Sequence, residues 1–290
     1  MGSKEEVILK TLLYSDIFNY PLTKEELYNF LPQKIAYNKF LQVFKSPLRQ
    51  IEFNQEFFFL KGNKEIVKLR QTRELISLQK FKKAEQIIKK LSFIPTIKFI
   101  GISGSLAMKN SDTDDDMDIF IISGKRFAWT TRFLSACMLI VLGAYRNKNS
   151  KNVQDKICLN LILSESETHF KTEDLFTAHE IVQLLPIFDR DKTYAKFIDS
   201  NKWIGTFLPN AQLDKKPLFE KQTNGIDKII IFFYKILFLE KLLQTAQLFY
   251  MRKAITKERL ENGFIGLHPF DYRLDILRKY NTRLIKFGLK

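Results

Sequence analysis

Asp116 and Asp118, separated by one apolar residue, are the residues of this sequence whose types and spacing most directly imply chemistry. They alternate with Met117 and Ile119 at the head of an apolar run, Met117 to Ile122. In a strand, residues i and i+2 share a face, so the two carboxylates lie side by side while their neighbours enter the core. Like charges held that way repel, and burying them without partners is costly. A divalent cation between them resolves the conflict. Upstream, Ser103-Gly104-Ser105 forms a small-residue turn after another apolar run, Ile97 to Ile102. Backbone N–H groups and a hydroxyl in such a turn suit a phosphate. Lys109 follows in the loop, either as a further phosphate contact or as a plain surface lysine. Together these residues compose a metal–triphosphate site.

The elements that position them follow from periodicity. Residues 96–165 read as strand, turn, loop, strand, helix (Phe127 to Tyr145), a basic loop (Arg146 to Lys151) and a third strand (Lys156 to Leu163). That order implies a mixed α/β sheet with helices on its faces. Residues 1–63 read as three short helices and two strands. Thr23-Lys24-Glu25-Glu26 is a capping box that opens the second helix, and Ser46-Pro47 stops the third. Three helices and a hairpin are the order of a winged helix. Its third helix would carry Lys34, Tyr37, Asn38, Lys39, Gln42 and Lys45 towards DNA, or serve only as scaffold. Residues 64–95 are a connecting helix, Lys64 to Leu91, that leads into the core. Residues 166–290 read as an all-α lobe with helices at Glu173–Leu185, Tyr194–Asn201, Ile226–Met251 and Phe270–Leu284.

Composition bounds the function. The chain has 290 residues, 45% of them hydrophobic, which supports a packed core rather than disorder. The net charge of +15 fits an anionic partner, nucleic acid first, or a general lysine-rich bias. Cys137 and Cys158 lie inside apolar runs and read as reduced core thiols of a cytoplasmic protein. The N-terminus lacks the apolar segment of a secretory signal. The most apolar stretches, Phe133–Tyr145 and Ile229–Met251, are too short or too interrupted by charge to span a bilayer. They read as buried helices, and no membrane partner is expected. His169, His179 and His268 have no zinc spacing.

The motif Gly104-Ser105, ten residues, then Asp116-Met117-Asp118-Ile119 resembles the signature of the nucleotidyltransferase superfamily typified by DNA polymerase β. The match covers about residues 84–165. The whole order, with a winged helix before and a helical lobe after, is similar to uncharacterised bacterial nucleotidyltransferase-like proteins. The resemblance implies a polymerase-β-like core, two Mg²⁺ ions held by Asp116 and Asp118, and a nucleoside triphosphate, ATP for preference, on Ser103, Gly104, Ser105 and Lys109. It implies transfer of a nucleoside monophosphate to a hydroxyl. The chain departs from the pattern at one place. The third carboxylate, on the next strand, corresponds to Asn160 within Cys158-Leu159-Asn160-Leu161. Asparagine can coordinate through its carbonyl but cannot act as a base. Asp155 and Glu165 are the acids near enough in sequence to substitute. Without such an acid, the resemblance implies a nucleotide-binding or nucleic-acid-binding protein with a degenerate core.

Overall fold

A computed structural model describes residues 3–45, 48–54, 56–147, 152–251, 259–261, 263–266 and 272–289. Ser46-Pro47, residues 148–151 of the basic loop, His268 and Phe270 lie outside the described residues.

The N-terminal segment holds α1 (Ser3–Ser15), which runs into a single 3-10 turn (Asp16–Phe18), then α2 (Lys24–Asn29) and α3 (Tyr37–Val43). A hairpin of β1 (Ile51–Asn54) and β2 (Phe57–Leu60) follows. The expected capping box forms: the Thr23 hydroxyl accepts from the Glu26 N–H, and the Glu26 carboxylate accepts from the Thr23 N–H. α4 (Glu65–Leu91) connects this segment to the sheet.

The sheet is built from β3 (Ile97–Ile102), β4 (Met117–Ser123) and β5 (Ile157–Ser164), with the short α5 (Gly104–Ala107) between the first two and α6 (Ala128–Val141) between the last two. Beyond them come α7 (Leu175–Gln183), β6 (Leu185–Arg190), α8 (Thr193–Ser200), α9 (Ile204–Phe207) and β7 (Phe219–Lys221). The chain continues through α10 (Gly225–Ile236), α11 (Leu239–Met251), β8 (Arg259–Glu261), β9 (Phe264–Gly266) and α12 (Tyr272–Lys286). The seven strands lie in the order β7-β6-β3-β4-β5-β9-β8. β4 pairs with β5 in parallel and β6 with β7 in parallel, while the other pairings are antiparallel. The fold is therefore mixed α/β around a mixed sheet.

Alternation along the strands makes two cores. Met117, Ile119 and Ile121 of β4 face one core with Ile88 of α4 and Leu139 of α6. Phe120 and Ile122 face the other, with Leu12 of α1, Ile181 of α7 and Ile276 of α12. Asp116 and Asp118 share the parity of Phe120 and so lie at the end of β4 on this second side.

Three expectations are corrected. The region 166–290 is not all-α, because it supplies four strands of the large sheet and β6 is an inner one. Pro186 argues against an inner strand because it has no N–H to donate. The strand accommodates it at a register shift beside Gly101. The expected single helix Ile226–Met251 is broken at Phe238, which adopts φ 47. It is also not buried: Phe238 is 77% exposed, and α10 has an open apolar side. Cys137, read as a core thiol, is exposed, while Cys158 is partly buried. Among the described residues no helix is long and apolar enough to cross a membrane.

Candidate functional site

β3 ends at Ile102, and the chain turns sharply through Ser103 into α5. Gly104 adopts φ +64, a left-handed conformation that side chains disfavour. A Cβ on Gly104 would lie 2.8 Å from Oδ2 of Asp118. Glycine is therefore required twice over, by its backbone and by the carboxylate packed against it. The Ser103 N–H donates to the Asp118 carbonyl at 3.0 Å, which fixes the turn to β4. The turn and the acid pair are thus in contact, as their spacing implies.

Asp116 and Asp118 are partly buried, and a third ligand-type atom joins them. One carboxylate oxygen from each and Sγ of Cys158 all lie within 4.8 Å of one another. The strand register explains this, because Cys158 is the residue of β5 directly beside Asp118. Asn160 is not. The register shifts between Leu159 and Leu161, and Asn160 falls in the bulge without a partner on β4. Sequence order alone put Asn160 in the third position, while the parallel register puts a thiol beside the pair.

The electrostatics are unresolved in one place. Oδ1 of Asp118 is sealed from water and makes no hydrogen bond among the described residues, and neither does Oγ of Ser103. Desolvation first, and then the Asp116 charge, push the Asp118 carboxyl up to about 7. The Cys158 thiol is also pushed up, by burial and then by the charges of Asp118 and Asp116, so it stays protonated. Arg146 lies against the pair from the loop before β5. Its Nε is 2.8 Å from Oδ2 of Asp116, and its Nη1 donates to Sγ of Cys158 at 3.2 Å.

The remaining sequence candidates separate into two groups. Ser103, Gly104 and Ser105 are at the site. The Ser105 hydroxyl is 3.1 Å from the Ser111 hydroxyl and 3.3 Å from Oδ2 of Asp115, so the loop holds it in place. Asp115 also accepts from the Asp112 N–H at 2.8 Å, which makes it a brace of this turn. Lys109 is exposed and lines a neighbouring depression with Glu26 rather than the cavity beside Gly104. Asp155 is turned away, with Lys80 Nζ donating to its Oδ1 at 3.0 Å. Glu165 follows the opposite end of β5, where it accepts from the Lys125 N–H at 3.2 Å. Neither supplies the pair with a third carboxylate.

One carboxyl does face the site from elsewhere. Glu180 of α7 lines a cavity of about 160 Å³ together with Gly104, Ser105, Tyr14, His179 and Gln183. Burial, and then the charge of Asp118, push Glu180 up to about 7. The imidazole of His179 stacks on Tyr14 at 4.2 Å and 12°, and burial drives its pKa down to about 3. The wall of this cavity is thus aromatic and neutral, with one carboxyl on it. Sequence reading missed Glu180, Cys158 and Arg146. Only the helix packing and the strand register bring these three to the pair.

No protein family, curated protein or solved structure matches this chain. The functional reading therefore rests on the site itself. Two adjacent carboxylates, a buried carboxylate oxygen without a hydrogen-bond partner among the described residues, and a glycine turn packed against that carboxylate fit a hard divalent cation with a phosphate ligand. The thiol, kept protonated, fits as a hydrogen-bond donor to Asp118 rather than as a ligand.

Proposed function

We propose that this chain is a nucleotidyltransferase-like protein with a polymerase-β-like core and an N-terminal winged helix. It binds a nucleoside triphosphate, ATP for preference, with Mg²⁺. It transfers the nucleoside monophosphate to a hydroxyl acceptor, releasing pyrophosphate by in-line displacement at the α-phosphorus. The observation that carries this reading is the sealed, unpartnered Oδ1 of Asp118 beside Asp116 and Gly104. Asp116 and Asp118 would hold the metal, which when bound neutralises the triphosphate and lowers the pKa of an attacking hydroxyl. Ser103 and Gly104 take the phosphates, and the hydroxyl of Ser103 has no other partner among the described residues. Glu180 is the carboxyl of the adjoining cavity, and we assign it the acceptor's proton in place of the absent third acid. The chain's part in the chemistry is positioning and charge neutralisation.

A second reading is favoured by a specific observation: Cys158, not an acid, stands beside Asp118. On that reading the core binds nucleotide without turning it over. The winged helix then does the work, because Lys34, Tyr37, Asn38, Lys39, Gln42 and Lys45 are all exposed around α3. Incubation with labelled ATP and Mg²⁺, alone and with RNA or cell extract, separates the two. Label transfer that disappears in Asp116→Ala, Asp118→Ala and Glu180→Gln supports the enzyme. ATP retention without transfer, together with DNA retention that falls steeply with salt, supports the binder. Absence of Mg²⁺-dependent ATP retention sinks both.

A further inference from the structure

The helical hairpin α10–α11 presents an apolar surface that the proposed nucleotide site does not use. Ile226, Ile229, Phe232, Phe233, Leu237 and Phe238 are between 55% and 77% exposed. At about 100° per residue, those on α10 and its C-cap span an arc of roughly 140°. That is wider than the apolar stripe a surface helix usually turns to its own core. Here the stripe faces out, while Ile230, Ile231 and Tyr234 take the half-buried inner side. On α11 the apolar surface continues through Leu242 and Phe249, which are 65% and 78% exposed.

The charges of the hairpin are sorted by side. It contains two acids, Asp227 and Glu240, and both are committed inward. Asp227 closes the α10 capping box and lies 3.8 Å from the buried Arg190. Glu240 accepts from the N–H groups of Trp129 and Thr130 at 2.9 and 2.8 Å, capping α6. The three lysines, Lys228, Lys235 and Lys241, are exposed and have no ion-pair partner among the described residues. Lys228 and Lys235 border the apolar arc of α10. Beside the hairpin opens a concavity of about 1100 Å³ lined by Lys125, Arg126, Lys235 and Lys241, with Glu167 and the already committed Glu240. The exposed side is therefore apolar in the middle and cationic at its border.

We infer that the α10–α11 hairpin is a docking surface for an anionic phospholipid membrane, with its phenylalanines in the interface and its lysines on the lipid phosphates. A helix lying in the interface needs no span, so the absence of a membrane-crossing helix stands unchanged. The inference concerns surface contact alone. Lysines at the edge of an apolar face reach the headgroups while their stems lie on the apolar residues. Each lysine near an anionic leaflet strengthens adsorption several-fold. A second copy of the chain fits less well. A two-fold contact matches the patch with itself, and it would bring three lysines together with only Glu167, among the acids lining the concavity, exposed to meet them.

The test uses the full chain and vesicle flotation. One set of vesicles is phosphatidylcholine alone, and the other is phosphatidylcholine mixed with phosphatidylglycerol. The expected result is retention on the mixed vesicles and little on the neutral ones. Phe232→Glu with Phe233→Glu weakens retention by about tenfold or more. Lys235→Glu with Lys241→Glu abolishes the preference for anionic lipid. Unchanged thermal melting shows that each variant is folded, and Phe249→Lys serves where the double variant is not. Equal retention on both vesicle types overturns the inference. So does a stable dimer in light scattering that Phe232→Glu/Phe233→Glu dissociates, with no vesicle binding. A monomer that ignores both vesicles overturns it as well.

Discussion

Two regions of this molecule take charge out of water, and they do so in opposite ways. Where α4 meets the N-terminal segment, Arg70 is 2% exposed. Its Nε donates to Glu74 at 2.8 Å and its Nη2 to Glu26 at 3.0 Å. Its guanidinium lies 3.7 Å over the ring of Tyr20, whose hydroxyl in turn donates to Glu26 at 2.6 Å. Opposite charges meet there, and each acid has its donor, although Nη1 of Arg70 makes no hydrogen bond among the described residues. At the end of β4, two like charges are adjacent, and an oxygen of Asp118 is sealed without a donor. The first arrangement is what a buried charge needs in order to stabilise a fold. The second costs stability, and a fold keeps such a site where something else completes it. The contrast sets a structural ion network apart from the candidate site.

The largest effect expected from breaking this comparison is at Arg70. Arg70→Met leaves Glu26 buried against Tyr20 without its cation. The cost is about 3–5 kcal/mol. Thermal unfolding then falls by roughly 10 °C, with no specific loss of nucleotide binding once the chain is folded. Asp118→Asn has the opposite sign. Desolvation and the Asp116 charge raise the Asp118 pKa to about 7. A raised acid gives its full stability below the unfolded value near 3.8 and loses it as pH rises through about 7. The asparagine variant carries no such loss. It therefore gains on the native chain as pH rises from 4 to 8, by on the order of 4 kcal/mol at the upper end. At the same time Mg²⁺-dependent ATP retention disappears. Denaturant melts at both pH values measure the first effect, and equilibrium dialysis the second. An asparagine variant less stable at pH 8 removes the like-charge argument.

The sequence made much of one region legible and little of the other. The bounds expected for the first strand, Ile97 to Ile102, are those observed, the second strand runs one residue further, and the third is shifted by one residue at both ends. Apolar alternation and the small-residue turn carry that information locally. The side-by-side placement of Asp116 and Asp118 follows from strand parity alone. Their neighbours do not. Cys158 reaches Asp118 only because β5 pairs in parallel and Asn160 is absorbed by a bulge. Glu180 reaches the cavity only because α7 packs beside α5. β6 was hidden because Pro186 disguises a short apolar run. The Arg70 network was equally hidden, since Arg70 and Glu26 lie 44 residues apart in the chain.

A third prediction uses pH from the other direction. His179 lines the cavity wall, and desolvation holds its pKa down to about 3. Gln183 Nε2 lies 3.3 Å from Nδ1, consistent with a neutral ring that accepts there. The unfolded chain takes up this proton near pH 6.5, while the folded one does not until about 3. Stability from this group is therefore intact above 6.5 and is lost as pH falls. At pH 5 the loss is about 2 kcal/mol. His179→Phe flattens the pH dependence of stability between 6.5 and 5, whatever it does to the overall level. An unchanged slope sinks the assignment.

The smallest effect sharpens the comparison most, because the molecule supplies its own control. Gly104 and Gly143 both adopt left-handed backbone, with φ +64 and +62. Among the described residues nothing lies within 4 Å of a Cβ added at Gly143, while at Gly104 the Cβ meets Asp118 Oδ2 at 2.8 Å. Alanine at either position carries about 1 kcal/mol of backbone strain. Gly143→Ala therefore reports the strain alone. Gly104→Ala reports strain plus displacement of the carboxylate. Because that atom is the free end of a side chain, it can move, so the extra loss of stability is small. The displacement falls on binding instead. Mg²⁺-dependent ATP retention drops several-fold in Gly104→Ala and is unchanged in Gly143→Ala, although the two melt within about 1 kcal/mol of each other. Equal retention in the two variants would mean that the turn and the acid pair, though in contact, do not act as one site.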